Sequence, residues 1–158
     1  MKGYMQNQSR TKRTTSTNIA FSAYLSHDMQ NVAKNVIIKC DRTILNDQNA
    51  YNPIDGIFTA PVAGVYLFSF SADTYTDAFI KLVVDNANEA DIVADPNPKW
   101  SLTESMSSII VLVYMNIFQS AWIEFDQTTG QLISADGQRY TTFSGVLLYE
   151  QFHVITFL

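Results

Sequence analysis

The sequence predicts an all-β fold, a sandwich of two packed sheets. Three observations predict it. Apolar residues recur at period two in short runs, as in Val65–Phe70 and Ile109–Met115. Turn signals interrupt the chain roughly every 8–12 residues, the spacing of a β-sandwich. Almost nothing repeats at the period of an amphipathic helix.

Residues 1–18, MKGYMQNQSRTKRTTSTN, are polar, basic and rich in Ser and Thr, the composition of an arm or linker. Asn7-Gln8-Ser9 is a glycosylation sequon, and no Gly-X-Y repeat encodes a collagen stalk. Ile19–Ser26 sets Ile19, Phe21, Ala23 and Leu25 on one side of a first strand. Val36–Asp47 predicts a second strand region. In it the single cysteine, Cys40, points with Val36 and Ile38 and is expected to be a small buried hydrophobe. An exposed redox thiol or an interchain bridge is the alternative. One cysteine excludes an intrachain disulfide.

Asn46–Phe70 is the most informative stretch. Asp55-Gly56 is a turn dipeptide, and Ala60-Pro61-Val62-Ala63-Gly64 breaks the strand ladder, because proline offers no backbone donor. Val65–Phe70 then alternates Tyr66, Phe68 and Phe70 against Val65 and Leu67. A strand apolar on both faces must be covered on both. Ala78–Val84 is rich in β-branched residues, Asp85–Asn88 is a turn, and Ile92-Val93 is a short extended step. Asp95–Trp100, with two prolines, reads as a loop. Ser107–Met115 is uncharged and strongly apolar, so it is expected to be a central strand paired on both edges. Ser120–Phe125 follows, and its Trp122 is assigned to the core. Thr128–Gly130 and Asp136-Gly137 are turns, Thr141–Tyr149 is a closing strand, and Glu150–Leu158 ends the chain as an apolar tail.

Within this pattern Asn46, Tyr51, Phe58, Gly64, Tyr66, Phe68 and Phe70 stand at the spacings of the signature of the globular head of complement C1q. Phe143-Ser144-Gly145-Val146-Leu147-Leu148-Tyr149 resembles that family's closing strand. The chain resembles C1q-domain proteins, relatives by fold of the tumour necrosis factor ligands, over Ile19–Tyr149. It departs from the signature once: Cys40 stands six positions before the asparagine, where the family has phenylalanine. The resemblance implies a jelly-roll strand order and a homotrimer. It divides the chain into an arm (1–18), a C1q-like domain (19–149) and an extension (150–158). The chain is similar to short collagen-less C1q-domain proteins of bivalve molluscs. That similarity implies a secreted, lectin-like protein of innate-immune pattern recognition, binding microbial polysaccharide or other glycans. A trimeric signalling ligand for a cell-surface receptor and a calcium-associated matrix protein are the alternatives.

Composition agrees with association. Of 158 residues 47% are hydrophobic and only 16% charged, so apolar surface is expected to be hidden between copies. The net charge is −5, and Lys2, Arg10, Lys12 and Arg13 crowd the start. The remainder carries six basic against fifteen acidic residues, which argues against nucleic-acid partners. No run approaches the ~20 apolar residues of a membrane span, and no signal-peptide core is visible at the start.

The chain lacks HExxH, CxxC, GxSxG, P-loop and GxGxxG motifs, and its two histidines, His27 and His153, are far apart, so no catalytic site is expected. No cofactor is required. Asp85, Glu89, Asp91 and Asp95 fall in one segment and are the candidates for calcium, which takes six to eight oxygens. A solvated acidic turn is the alternative. Sugars are held by amide, carboxylate and guanidinium groups around an aromatic ring. Asp73, Tyr75, Asp77, Asn97, Lys99, Trp100, Gln138, Arg139 and Tyr140 are the loop residues of that kind.

Overall fold

The computed structural model describes residues 17–96, 104–127 and 138–151. Ten strands run in chain order: β1 Ala20–Tyr24, β2 Arg42–Asn46, β3 Tyr51–Asn52, β4 Ile57–Thr59, β5 Gly64–Thr74, β6 Ala78–Val84, β7 Ala87–Ala94, β8 Ser105–Met115, β9 Ser120–Phe125 and β10 Thr142–Glu150. One 3-10 turn, Asp47–Asn49, is the only helical element among the described residues. Two five-stranded antiparallel sheets form, in the orders β2-β1-β10-β5-β8 and β3-β4-β9-β6-β7. This is the jelly roll. The basic cluster, the sequon, the turns at 128–130 and 136–137 and the tail from 152 onward lie outside the described residues.

The core follows from alternation. On β5, Tyr66, Phe68 and Phe70 are fully buried, while Val65 and Leu67 turn to the other face and are half-buried. Phe21 of β1 stacks on Tyr51 at 4.8 Å and meets Phe143 edge-on at 4.9 Å. Phe58 packs on Tyr66 and Phe68 at 5.4 and 5.7 Å. All of these rings but Phe21 belong to the signature stretch or the closing strand. Each buried ring contributes about 1.5–3 kcal/mol by leaving water. Two glycines sit where a side chain cannot fit. A Cβ on Gly64 would stand 2.4 Å from the Tyr149 carbonyl, and one on Gly145 would stand 2.6 Å from the Phe21 ring. Cys40 is fully buried, as expected. Burial, then the charge of Asp41, pushes its thiol up to about 12.

Three expectations are corrected. The second strand is shorter than Val36–Asp47. Residues 35–38 instead run beside β9, with Ile38 N–H donating to Ile123 O at 2.9 Å and Phe125 N–H to Val36 O at 3.1 Å. They take up β9 where β4, which reaches only Ala121 and Ser120, has ended. Next, β8 is not central: it pairs with β5 alone and forms an edge of its sheet. Its apolar alternation was legible, but the number of its neighbours is a matter of strand order. Finally, Trp122 is not in the core. It is half-buried on the outer face of β9, where its Nε1–H donates to Glu124 Oε2 at 2.7 Å. Ala121, Ile123 and Phe125 hold the inner face.

Candidate functional site

The outer face of the β2-β1-β10-β5-β8 sheet is graded from end to end. Register puts Val65 beside Tyr114 and Tyr149, then Leu67 beside Leu112 and Val146. Ile110 and Leu112 are 68% and 60% exposed, far from the burial such side chains usually find. Farther along β5 hydroxyls replace alkyl groups. Ser144 Oγ donates to Ser22 Oγ at 3.0 Å, Ser71 and Thr142 share a hydrogen bond of 2.7 Å, and Ser71 Oγ donates to Tyr140 O at 2.7 Å.

Beyond this belt the face ends in an acidic rim. Asp73 is buried on the outer face of β5, and its Oδ2 has no hydrogen-bond partner among the described residues. Desolvation, and then the neighbouring charge of Glu104, raises its carboxyl above the usual range. The exposed Tyr75 gives its hydroxyl to Glu104 Oε1 in a very short hydrogen bond. That bond is the main reason its phenol is held above its usual value. Tyr140 precedes β10 at the same end, and the Arg139 guanidinium lies over the Tyr24 ring, 4.8 Å from its centroid. On the other sheet, Asp77 and Asp95 flank the paired ends of β6 and β7. Asp77 is raised by desolvation and by a hydrogen bond with Asp95.

The structure thus brings Asp73, Tyr75, Arg139 and Tyr140 to one end of one sheet, with Asp77 at the matching end of the other. Gln138 is exposed beside Arg139. Asn97, Lys99 and Trp100 lie outside the described residues. Glu104, which bonds Tyr75 and whose charge acts on Asp73, carried no sequence signal, because it matches no motif.

The four calcium candidates are not gathered. Asp85 and Asp95 flank opposite ends of β7, whose eight residues span about 27 Å at ~3.4 Å per residue. Glu89 and Asp91 lie between them on its outer face. The Asp85 carboxylate accepts the Ser120 N–H at 2.9 Å, and Asp91 takes both its bonds from Asn88 at 3.0 Å. These four make no single cation site, and no three acidic, histidine or cysteine side chains converge among the described residues. The sequence predicts a turn at Asp85–Asn88 and only a short extended step at Ile92-Val93, but β7 runs unbroken over Ala87–Ala94 and draws the ends of the segment apart.

The profile of the C1q domain family matches residues 20–148. Human complement C1q tumor necrosis factor-related protein 5 is 27% identical over 134 residues, covering 85% of this chain and 55% of that protein. The heavy metal-binding protein HIP of Mytilus edulis is 33% identical over 82 residues, covering 51% of this chain and 38% of HIP. The chain spans about half the length, 55%, of the first of these relatives. The globular domain of zebrafish complement 1qA protein superposes with a TM-score of 0.69 at 16% identity, over 85% of this chain and 99% of that one. Eiger TNF from S. frugiperda superposes with a TM-score of 0.66 at 10% identity, over 89% and 99%. At these identities the likeness shows the fold. No helix among the described residues is long and apolar enough to cross a membrane.

Proposed function

The chain belongs to the C1q-domain family, and on that premise we propose that it is a non-enzymatic, extracellular recognition head that works as a homotrimer and binds glycans at its rims. One observation carries the trimer. The outer face of the β2-β1-β10-β5-β8 sheet shows Leu45, Ile110, Leu112, Val146 and Tyr149 to water, and β8 leaves one edge of that sheet unpaired. Covering such side chains is worth about 1.5–3 kcal/mol each. Closure of three copies about one axis hides this sheet in every copy and leaves the other sheet outside.

The trimer sets the mode of binding. Three weak rim sites on one particle reach a repetitive surface together, and avidity rises without new contacts per site. Tyr75, Arg139 and Tyr140 supply rings and a guanidinium at the rim; Asp73 and Glu104 supply acceptors. Light scattering is expected to give three times 17.8 kDa. Leu112→Glu is expected to give a folded monomer that loses binding to polysaccharide-coated beads. A wild-type monomer at micromolar concentration, or a trimer untouched by Leu112→Glu, refutes this arrangement.

A cation-assisted reading has its own support in the unpartnered Asp73 Oδ2 beside Glu104, a pair that a calcium ion at the rim would relieve. Calorimetry with calcium tests it: no heat and no rise in melting temperature removes it. A receptor-binding ligand, suggested by the names of the tumor necrosis factor-related proteins, would show receptor capture and no sugar competition.

A further inference from the structure

The outer face of the second sheet carries a cleft of about 260 Å³ that none of the rim residues enters. Asn35, Lys81, Asn86, Asn88, Trp122 and Glu124 line it, and Val83 lies buried beneath. Register places the parts: Lys81 stands opposite Glu124 and Val83 opposite Trp122 on β9, while Val83 faces Asn88 on β7. We propose that this cleft binds one neutral hexopyranose ring, stacked on Trp122 and held by the asparagine amides. The proposal shares a ligand class with the rim reading but not a place, and it does not need the rim to bind anything.

The fit rests on size, charge and rigidity. The volume falls below the ~300–1,000 Å³ of pockets for drug-sized ligands, which suits a single ring. Trp122 Nε1–H is already committed to Glu124, which fixes the indole and leaves its apolar body as a platform for the C–H face of a sugar. The Asn86 amide offers both a donor and an acceptor, the pairing that vicinal hydroxyls need. Asn35, whose Oδ1 takes Lys81, adds its Nδ2 donor, and Asn88, whose Nδ2 bonds Asp91, adds its Oδ1 acceptor. Among the described residues no partner claims the Asn86 amide.

Lys81 argues against an anion. Its three ammonium protons have Glu124 Oε1 at 3.2 Å, Asp126 Oδ1 at 3.2 Å and Asn35 Oδ1 at 3.4 Å within reach. A carboxylate or phosphate would find no free cation and would meet Glu124. A hydroxyl can donate to Glu124 without that cost.

The backbone holds the amides in place. Asn86 has φ of 75° in the two-residue turn between β6 and β7, and Asn35 has φ of 63° and donates its N–H to Phe125 O at 2.7 Å. A left-handed backbone alone would account for asparagine at both positions, so the test keeps the backbone and removes the amide. Glycine adopts positive φ without strain.

The indole N–H resonances of the two tryptophans, assigned with Trp100→Phe, are followed while mannose, galactose or N-acetylglucosamine is added to the full chain. A saturable shift of Trp122 is expected on the order of millimolar. Asn86→Gly and Asn35→Gly are each expected to weaken it about fivefold, the worth of one hydrogen bond. Trp122→Phe carries no indole reporter at this position, so it is followed through the Asn86 side-chain amide resonances, which are expected to show no saturable shift in a folded protein. Tyr75→Phe and Arg139→Ala are expected to leave the Trp122 shift unchanged. No saturable shift with any of the three sugars overturns the proposal. So does full binding by Asn86→Gly and Asn35→Gly, or tighter binding of a sialic acid than of the neutral sugars. Loss of sugar binding in the rim variants alone overturns it while supporting the rim.

Discussion

Asn46 holds Tyr51 on both sides of its backbone: Nδ2 donates to Tyr51 O at 2.8 Å, and Oδ1 accepts the Tyr51 N–H at 3.1 Å. Tyr51 in turn donates its hydroxyl to Cys40 O at 3.0 Å. The signature asparagine thus closes the turn between β2 and β3 and aims an aromatic ring into the core. Asn46→Ala removes both bonds and leaves half-buried backbone groups unpaired, so it is expected to cost about 1–3 kcal/mol in urea denaturation. Asn46→Asp keeps the acceptor and loses the donor, and is expected to cost less. Equal stability of Asn46→Ala and the parent would show that the clamp contributes nothing.

Gly145 passes between two rings. An added Cβ would stand 2.6 Å from Phe21 and 2.8 Å from Phe68. Both rings are fully buried and cannot swing away. Gly145→Ala is therefore expected to lower stability by about 1–3 kcal/mol through overpacking. Gly145→Ala combined with Phe21→Leu should recover part of that loss. An unshifted melting temperature for the single variant is the contrary result.

Asp73 sets a pH dependence. Its carboxyl is raised from the ordinary 3.8 by desolvation and by Glu104. The native state therefore holds this proton more tightly than the unfolded chain does. The stability it contributes is fully present below pH 3.8 and is lost as pH rises through the raised native value. Asp73→Asn cannot lose a proton, so it is expected to match the parent in acid and to exceed it in stability at neutral pH. Melting curves across pH check the difference between the two. A variant less stable than the parent at neutral pH would mean that the charge is satisfied in the assembly, as a bound cation would do.

Cys40 is inert by position. It is fully buried and its thiol is pushed up to about 12, so thiolate is scarce at neutral pH. A thiol reagent at pH 8 is expected to label it only at the rate of unfolding, and at once in denaturant. Rapid labelling of the native protein would be incompatible with this burial.

The order of apolar and polar residues along the chain was enough to establish a β-sandwich, the inward faces of β1 and β5, the burial of Cys40 and the family. Those features rest on local alternation and on fixed spacings within one stretch, both visible in one dimension. Other features depend on which strands become neighbours, and only the tertiary structure decided them. Trp122 and Ile123 alternate, and either could have faced inward; pairing Val83 with Trp122 sent the indole outward, beside Lys81 and the asparagines. The same applies to β8, equally apolar whether central or at an edge, and to Asp73 and Glu104, thirty-one positions apart and joined by the pairing of β5 with β8. A strand pattern records that two faces exist, but the energy that selects the buried one comes from partners distant in sequence.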